Sequence, residues 1–131
     1  MKQLFSIKKL TNLILILLVS FLVSSCFAEE PKKARVIEVK PGEEFTIMLE
    51  SNQTTGYSWQ FAKPLDKSLL ELIITGHSLD RPNLVGSPGK QMWTIKALKP
   101  GKTDIFFKYV RPWEKDVPAI KEETYSIIIK Q

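Results

Sequence analysis

The sequence predicts an all-β fold, a sandwich of about seven short antiparallel strands following an amino-terminal signal segment. Three observations predict it. Apolar and polar residues alternate in runs such as Phe45-Thr46-Ile47-Met48-Leu49 and Tyr57-Ser58-Trp59-Gln60-Phe61, the period of a half-buried strand. Turn chemistry separates the runs at short intervals, as in Lys40-Pro41-Gly42-Glu43 and Lys99-Pro100-Gly101-Lys102. Beyond the amino-terminal segment no stretch carries a helical period. Short strands at this spacing point to an immunoglobulin-like sandwich. The Cys…Trp…Cys pattern of antibody domains is absent, because Cys26 is the only cysteine.

Residues 1–25 read as a lipoprotein-type signal peptide. A basic start with Lys2, Lys8 and Lys9 precedes Leu13 to Val23, apolar except for Ser20. That run suits the apolar part of a signal peptide, whereas a spanning helix needs about 20 residues. Val23-Ser24-Ser25-Cys26 has small residues before a lone cysteine, as a bacterial lipobox does. Cleavage there leaves Cys26 as a lipidated amino terminus, holding the domain at a membrane of the cell envelope, in the periplasm or on the outer surface. The other reading is a secretory signal cut after Ala28, with Cys26 discarded. Both readings export the domain. Residues 26–34 form a short charged tether, and residues 35–131 form the domain.

The whole chain has 19 Lys and Arg against 14 Asp and Glu, formally +5. Removing the three signal-segment lysines leaves 16 against 14, so the exported part is close to neutral. No basic stripe is interleaved with aromatics, and nothing argues for nucleic acid. With no disulfide available, a small domain of this size must be held by its apolar core, and it is expected to be a monomer.

Taken in order, Ala34 to Val39 is the first strand, closed by Lys40-Pro41-Gly42-Glu43, whose Pro and Gly fit a type II turn. Phe45 to Leu49 and Tyr57 to Phe61 follow. Leu69 to Thr75 is the next strand, although Ser68-Leu69-Leu70-Glu71 also mimics a capping box that would start one helical turn. Gly76 to Lys90 reads as a long connection, and Gln91 to Leu98 as a strand. Lys99-Pro100-Gly101-Lys102 repeats the earlier turn chemistry. Thr103 to Val110 is the most apolar strand, and Thr124 to Lys130 is the last. Trp59 and Trp93 lie inside strands and are expected in the core.

Between the second and third runs stands Asn52-Gln53-Thr54-Thr55-Gly56-Tyr57-Ser58-Trp59. It is longer than a hairpin tip needs, carries no apolar residue from Ser51 to Gly56, and places two threonines in succession. It reads either as a polar connection or as a loop presented to a partner. Asn-x-Thr-Thr-Gly-Tyr-x-Trp resembles the first signature of the chagasin family, inhibitors of papain-like cysteine peptidases, with Gln53 where that family has Pro. Gly86-Ser87-Pro88-Gly89 loosely resembles the family's glycine-rich second loop, Pro88 interrupting its adjacent glycines. Arg111-Pro112-Trp113 matches the third signature unchanged.

The resemblance implies an immunoglobulin-like sandwich acting as a reversible, non-covalent inhibitor. Asn52, Thr54, Thr55, Gly56 and Tyr57, with Gly86, Pro88 and Gly89 and with Arg111, Pro112 and Trp113, would then bind a papain-like cysteine peptidase. The loop at Thr54 and Thr55 would cover the catalytic Cys and His, and the other two would grip the cleft on either side. The residues agree: in a sandwich the loops after the second, fourth and sixth strands share one end. Trp113 lies beyond its strand, where it is either an interface anchor or a lid over the sandwich end.

Catalysis has little support. His77 is the only histidine and reads as solvated in a long loop, whereas a Cys-His or Ser-His-Asp set would need that one histidine beside a nucleophile. No His/Cys cluster offers three or four metal ligands. Neighbouring acids such as Glu122-Glu123 point to opposite faces of a strand. No cofactor is expected. Besides inhibition, the exported sandwich is compatible with an adhesion or ligand-binding module, or with a subunit of an envelope assembly.

Overall fold

A computed structural model describes residues 32–131; the signal segment and Cys26 lie outside them. Seven strands form: β1 (Arg35–Val39), β2 (Glu44–Ser51), β3 (Ser58–Phe61), β4 (Leu70–Leu79), β5 (Gly89–Ala97), β6 (Gly101–Val110) and β7 (Lys121–Ile129). They make a four-stranded sheet in the order β1-β7-β6-β3 and a three-stranded sheet in the order β2-β5-β4. The all-β sandwich is as the alternation predicts. One pairing departs from an all-antiparallel expectation: β1 runs parallel to β7, Arg35 opposite Tyr125 and Val39 opposite Ile129. The chain reaches this edge before crossing to the other sheet, so no hairpin ties β1 to its partner.

Alternation sets the core. Trp93, Ile95 and Ala97 of β5, Ile105, Phe107 and Tyr109 of β6, and Tyr125, Ile127 and Ile129 of β7 all point between the sheets. Ile47 and Leu49 of β2 and Trp59 of β3 join them. Trp59 and Trp93 are 4% and 3% exposed, as their strand positions predict. The Trp93 and Phe107 rings lie 4.5 Å apart, and Phe61 and Phe107 5.0 Å apart. Such pairs contribute about 0.5–1.5 kcal/mol beyond area burial.

Because β2 and β3 belong to different sheets, residues 52–57 are a crossing between sheets rather than a hairpin tip. This explains their length. Buried Gln91 closes the junction: its Nε2 donates to the Trp59 carbonyl at 2.8 Å, and its Oε1 accepts from the Trp59 N–H at 2.9 Å. One side chain thus supplies to the edge strand β3 the pair of bonds that another strand would give. The Trp59 indole N–H donates to the Glu50 carbonyl at 2.9 Å and ties β3 to β2, as Gln91 ties it to β5.

Three local expectations are revised. β4 continues through Gly76-His77-Ser78-Leu79, so His77 is an exposed strand residue opposite Gln91, not part of a long loop. The register of β4 against β5 shifts between Leu72 and Ile74, as at a β-bulge. The turn before β4 is organised by Asp66 rather than by a box starting at Ser68. The Asp66 carboxylate accepts from the Ser68 N–H and hydroxyl at 3.0 and 2.6 Å, and its carbonyl accepts from Leu69 and Leu70. The two Pro-Gly turns also differ. Gly42 has φ +87 and Glu43 N–H donates to Lys40 C=O at 3.1 Å, as a type II turn requires. Gly101 has no positive φ and begins β6; a Cβ there would meet Leu69 at 2.9 Å.

The connections 52–57, 80–88 and 111–120 share one end of the sandwich, as the alternation of connections predicts. The chain also enters there: Lys32, before β1, pairs with Glu123 at 2.9 Å and donates to the Glu122 carbonyl.

Candidate functional site

The first loop is built by its own polar side chains. Asn52, extended at φ −114 and ψ 99, caps a short 3₁₀ turn, Gln53–Thr55. Its Oδ1 accepts from the Thr54 N–H at 3.2 Å and from the Thr54 hydroxyl at 2.6 Å. Its carbonyl accepts from the Thr55 N–H at 3.3 Å and the Thr55 hydroxyl at 2.7 Å. Both threonine hydroxyls therefore brace the turn, which accounts for the otherwise odd pair. Gly56, at φ +80, ends it by donating to the Gln53 carbonyl at 3.0 Å. Gln53, Thr54 and Thr55 stay exposed. Gln53 sits at the first position of the turn, where proline is favoured because no N–H is needed. The extended Asn52 before it is what a following proline would demand. Gln53 thus stands where a proline would also fit.

An aromatic column supports this turn. Tyr109 accepts from the Asn52 N–H through its hydroxyl at 3.1 Å. Its ring stacks with Tyr57 at 5.4 Å and lies 4.9 Å from Trp59. Tyr57 is half-buried and braces the loop from beneath.

The third loop locks onto the first. Arg111 lies 4.5 Å over the Tyr57 ring and donates through Nε to the Thr55 carbonyl at 3.3 Å. Its other arm pairs with Glu114 at 3.1 Å. The Glu114 hydrogen bond raises the Arg111 pKa from an already high value, so the guanidinium remains charged. Glu114 N–H donates to the Arg111 carbonyl at 3.1 Å, and Pro112 occupies the first corner of that turn, where its fixed φ fits. Trp113 is 66% exposed, which removes it from the core. Its indole edge covers Gly56, and a Cβ on Gly56 would lie 2.3 Å from Trp113 Cη2. Gly56 is therefore doubly required, for its φ and for this contact.

The second loop stands beside this unit. Its base, Asp80, Pro88 and Gly89, borders a cleft of about 320 Å³ shared with Asn52, Tyr109 and Lys121. Gly86 has φ +81 with open space around its Cα. Gly89 is the first residue of β5, opposite Ser51 and Leu79, where a Cβ would meet the Ser78 carbonyl at 2.2 Å. Its need for glycine comes from the sheet. Of the three sequence-predicted groups, the structure joins Asn52–Tyr57 and Arg111–Trp113 directly and sets Gly86–Gly89 alongside. Tyr109, which holds the first loop from below, and Gln91, which holds β3, carry no loop signature in the sequence, since each reads as a strand residue.

No group of three or more metal-ligating side chains exists among the described residues. Fold and site together define a β-sandwich that presents a preformed edge of loops to another protein. A sequence model of the chagasin family of peptidase inhibitors, I42, matches residues 38–129. The chain belongs to that family and is an inhibitor, not an enzyme. It is 34% identical to Amoebiasin-2 of Entamoeba histolytica over 84 residues, 64% of this chain and 68% of that one. It is 28% identical to Chagasin of Trypanosoma cruzi over 97 residues, 72% of this chain and 86% of that one. Its structure resembles the crystal structure of a cysteine protease inhibitor from Entamoeba histolytica, with a TM-score of 0.65 and 29% identity, covering 74% of this chain and 87% of that one.

Proposed function

We propose that this chain inhibits papain-like cysteine peptidases reversibly and without covalent chemistry, the Thr54-Thr55-Gly56 turn covering the catalytic Cys and His. The observation that carries the reading is the internal closure of that turn. To be cut, a peptide must lie extended in the cleft. Here Asn52, both threonine hydroxyls and Arg111 hold a closed 3₁₀ turn. Opening it would break several hydrogen bonds, each contributing about 0.5–1.5 kcal/mol net. The turn can thus fill a cleft without offering a cleavable bond, and its rigidity lowers the ordering entropy of binding. Trp113 supplies an exposed aromatic anchor beside it, while Pro112 and Arg111 hold the anchor's loop.

Thr54→Arg tests the reading. Bulk at an exposed turn position should raise the inhibition constant for papain at least tenfold, while stability falls by no more than the about 0.5–1.5 kcal/mol that the Thr54 hydroxyl bond to Asn52 contributes. An inhibition constant equal to that of the unmodified chain would show that the turn does not enter the cleft.

We further propose export as a lipoprotein anchored through Cys26, supported by the apolar run Leu13 to Val23 and the small residues before that cysteine. Cys26→Ser should abolish labelling by radiolabelled fatty acid and release the protein from membranes; undiminished labelling would refute the anchor.

A further inference from the structure

Gln53, where the first loop departs from the chagasin signature, completes a second motif. Asn52-Gln53-Thr54 has the form Asn-x-Thr that N-linked oligosaccharide transfer requires, with any residue but proline in the middle. Of the asparagines Asn12, Asn52 and Asn83, only Asn52 is followed two residues later by Ser or Thr. Glu50 stands two residues before it, the acidic position that bacterial transferases of this class also read.

The fold presents this triplet to solvent. Asn52 is half-buried, and Gln53 and Thr54 are exposed at the loop-bearing end of the sandwich. The Asn52 Oδ1 accepts from the Thr54 N–H at 3.2 Å and from its hydroxyl at 2.6 Å, so the amide and the hydroxyl that a transferase reads together stand side by side. These side-chain bonds all run to Oδ1 and leave Nδ2 unengaged among the described residues. The Asn52 N–H is held by the Tyr109 hydroxyl at 3.1 Å, which fixes the backbone that carries the amide. Beside it opens the cleft of about 320 Å³ bordered by Asp80, Tyr109 and Lys121, polar surroundings for a first sugar ring.

We propose that Asn52 is an N-glycosylation site and that an oligosaccharide on it switches the inhibitory edge off. In the transfer, Nδ2 attacks C1 of the reducing-end sugar of a lipid-diphosphate-linked oligosaccharide. The C1–N bond forms, the C1–O bond to phosphate breaks, one amide proton passes to a base on the transferase, and the lipid diphosphate leaves. The glycan is then attached two residues from Thr54, and its bulk keeps the turn out of a peptidase cleft. Modification rests on export of the domain, and the switch rests on the inhibitory reading above.

The test is export of the full chain, unmodified or carrying Q53P or N52Q, in bacteria with and without an oligosaccharyltransferase and its lipid-linked donor. Mass spectrometry of the intact chain and its peptides is followed by inhibition of papain. The unmodified chain should gain one oligosaccharide, on Asn52, only where the transferase is present, and neither variant should gain it. The glycosylated chain should have an inhibition constant on the order of tenfold or more above that of the same chain made without the transferase. Q53P should give one inhibition constant from both cells. Absence of the added mass, in cells that glycosylate a control protein with an exposed acceptor triplet, would overturn the proposal. So would a glycosylated chain that inhibits as well as the unglycosylated one. Failure of the unglycosylated chain to inhibit papain would remove the inhibitory reading and the switch together, and the mass on Asn52 tells that failure from failure of the site itself.

Discussion

Gly56→Ala examines the junction between the first and third loops, where conformational strain and a steric contact can be separated. Alanine at φ +80 pays the left-handed penalty of roughly 1–2 kcal/mol. Its Cβ would also lie 2.3 Å from Trp113 Cη2 and 3.0 Å from Cζ2, so the indole must swing off the turn. About a third of the Trp113 surface is covered. At about 25 cal/mol per Å² that cover contributes at most about 2 kcal/mol, and roughly 1 kcal/mol belongs to the Gly56 contact. Gly56→Ala should therefore destabilise the domain by about 2–3 kcal/mol, and Trp113→Ala by at most about 2 kcal/mol. The double variant should lose the shared contact only once, giving about 3–4 kcal/mol rather than the sum, a coupling of about 1 kcal/mol. Urea denaturation of the four proteins, read by circular dichroism, measures this cycle. Additivity within about 0.3 kcal/mol would mean that Trp113 does not rest on Gly56 in solution, and the geometry of the edge would have to be redrawn.

Other substitutions should respond in distinct ways. Trp113→Ala should weaken papain inhibition on the order of 30-fold, as loss of an interface anchor of about 2 kcal/mol does, with no more than the stability loss given above; unchanged inhibition would leave the indole a purely internal cover. Gln53→Pro should raise stability by about 0.4–1 kcal/mol and leave inhibition intact, because Gln53 opens a 3₁₀ turn and Asn52 before it is extended; a lower denaturation midpoint would contradict that geometry. Gln91→Ala should cost roughly 1–3 kcal/mol by leaving the buried Trp59 N–H and carbonyl unmet, an effect measurable in urea. The Ser68 hydroxyl and N–H hold the Asp66 pKa below its ordinary 3.8. This contribution to stability is present above the unfolded value and lost as pH falls through the lower folded value. Denaturation midpoints at pH 2–5 should therefore fall less steeply in Asp66→Ala than in the unmodified protein.

What could be read from the sequence follows from what side-chain periodicity records. Alternation at Trp93-Thr94-Ile95 and Ile105-Phe106-Phe107 reports a face, so the strands and the core tryptophans were legible. It does not report the partner strand, so the separation of β2 from β3 and the parallel β1–β7 pairing were not. Gly76-His77 looked like a break because glycine weakens a strand, yet cross-strand pairing with Met92 and Gln91 carries β4 through it. The loops stood out by composition. Their internal wiring did not, since the Arg111–Thr55 and Asn52–Tyr109 bonds join residues far apart in the chain.

The claim that the Thr54-Thr55-Gly56 turn covers a catalytic cysteine is tested most directly by protecting that cysteine. Papain mixed with one equivalent of the inhibitor, well above the inhibition constant, is exposed to iodoacetamide, and alkylation of its catalytic cysteine is followed by mass spectrometry. Alkylation should slow at least tenfold and recover its full rate when the complex is diluted apart, with the Thr54-Thr55 and Thr55-Gly56 bonds of the inhibitor uncut. Alkylation at the rate of free papain while the inhibitor remains bound, or cleavage within that turn, would contradict the account.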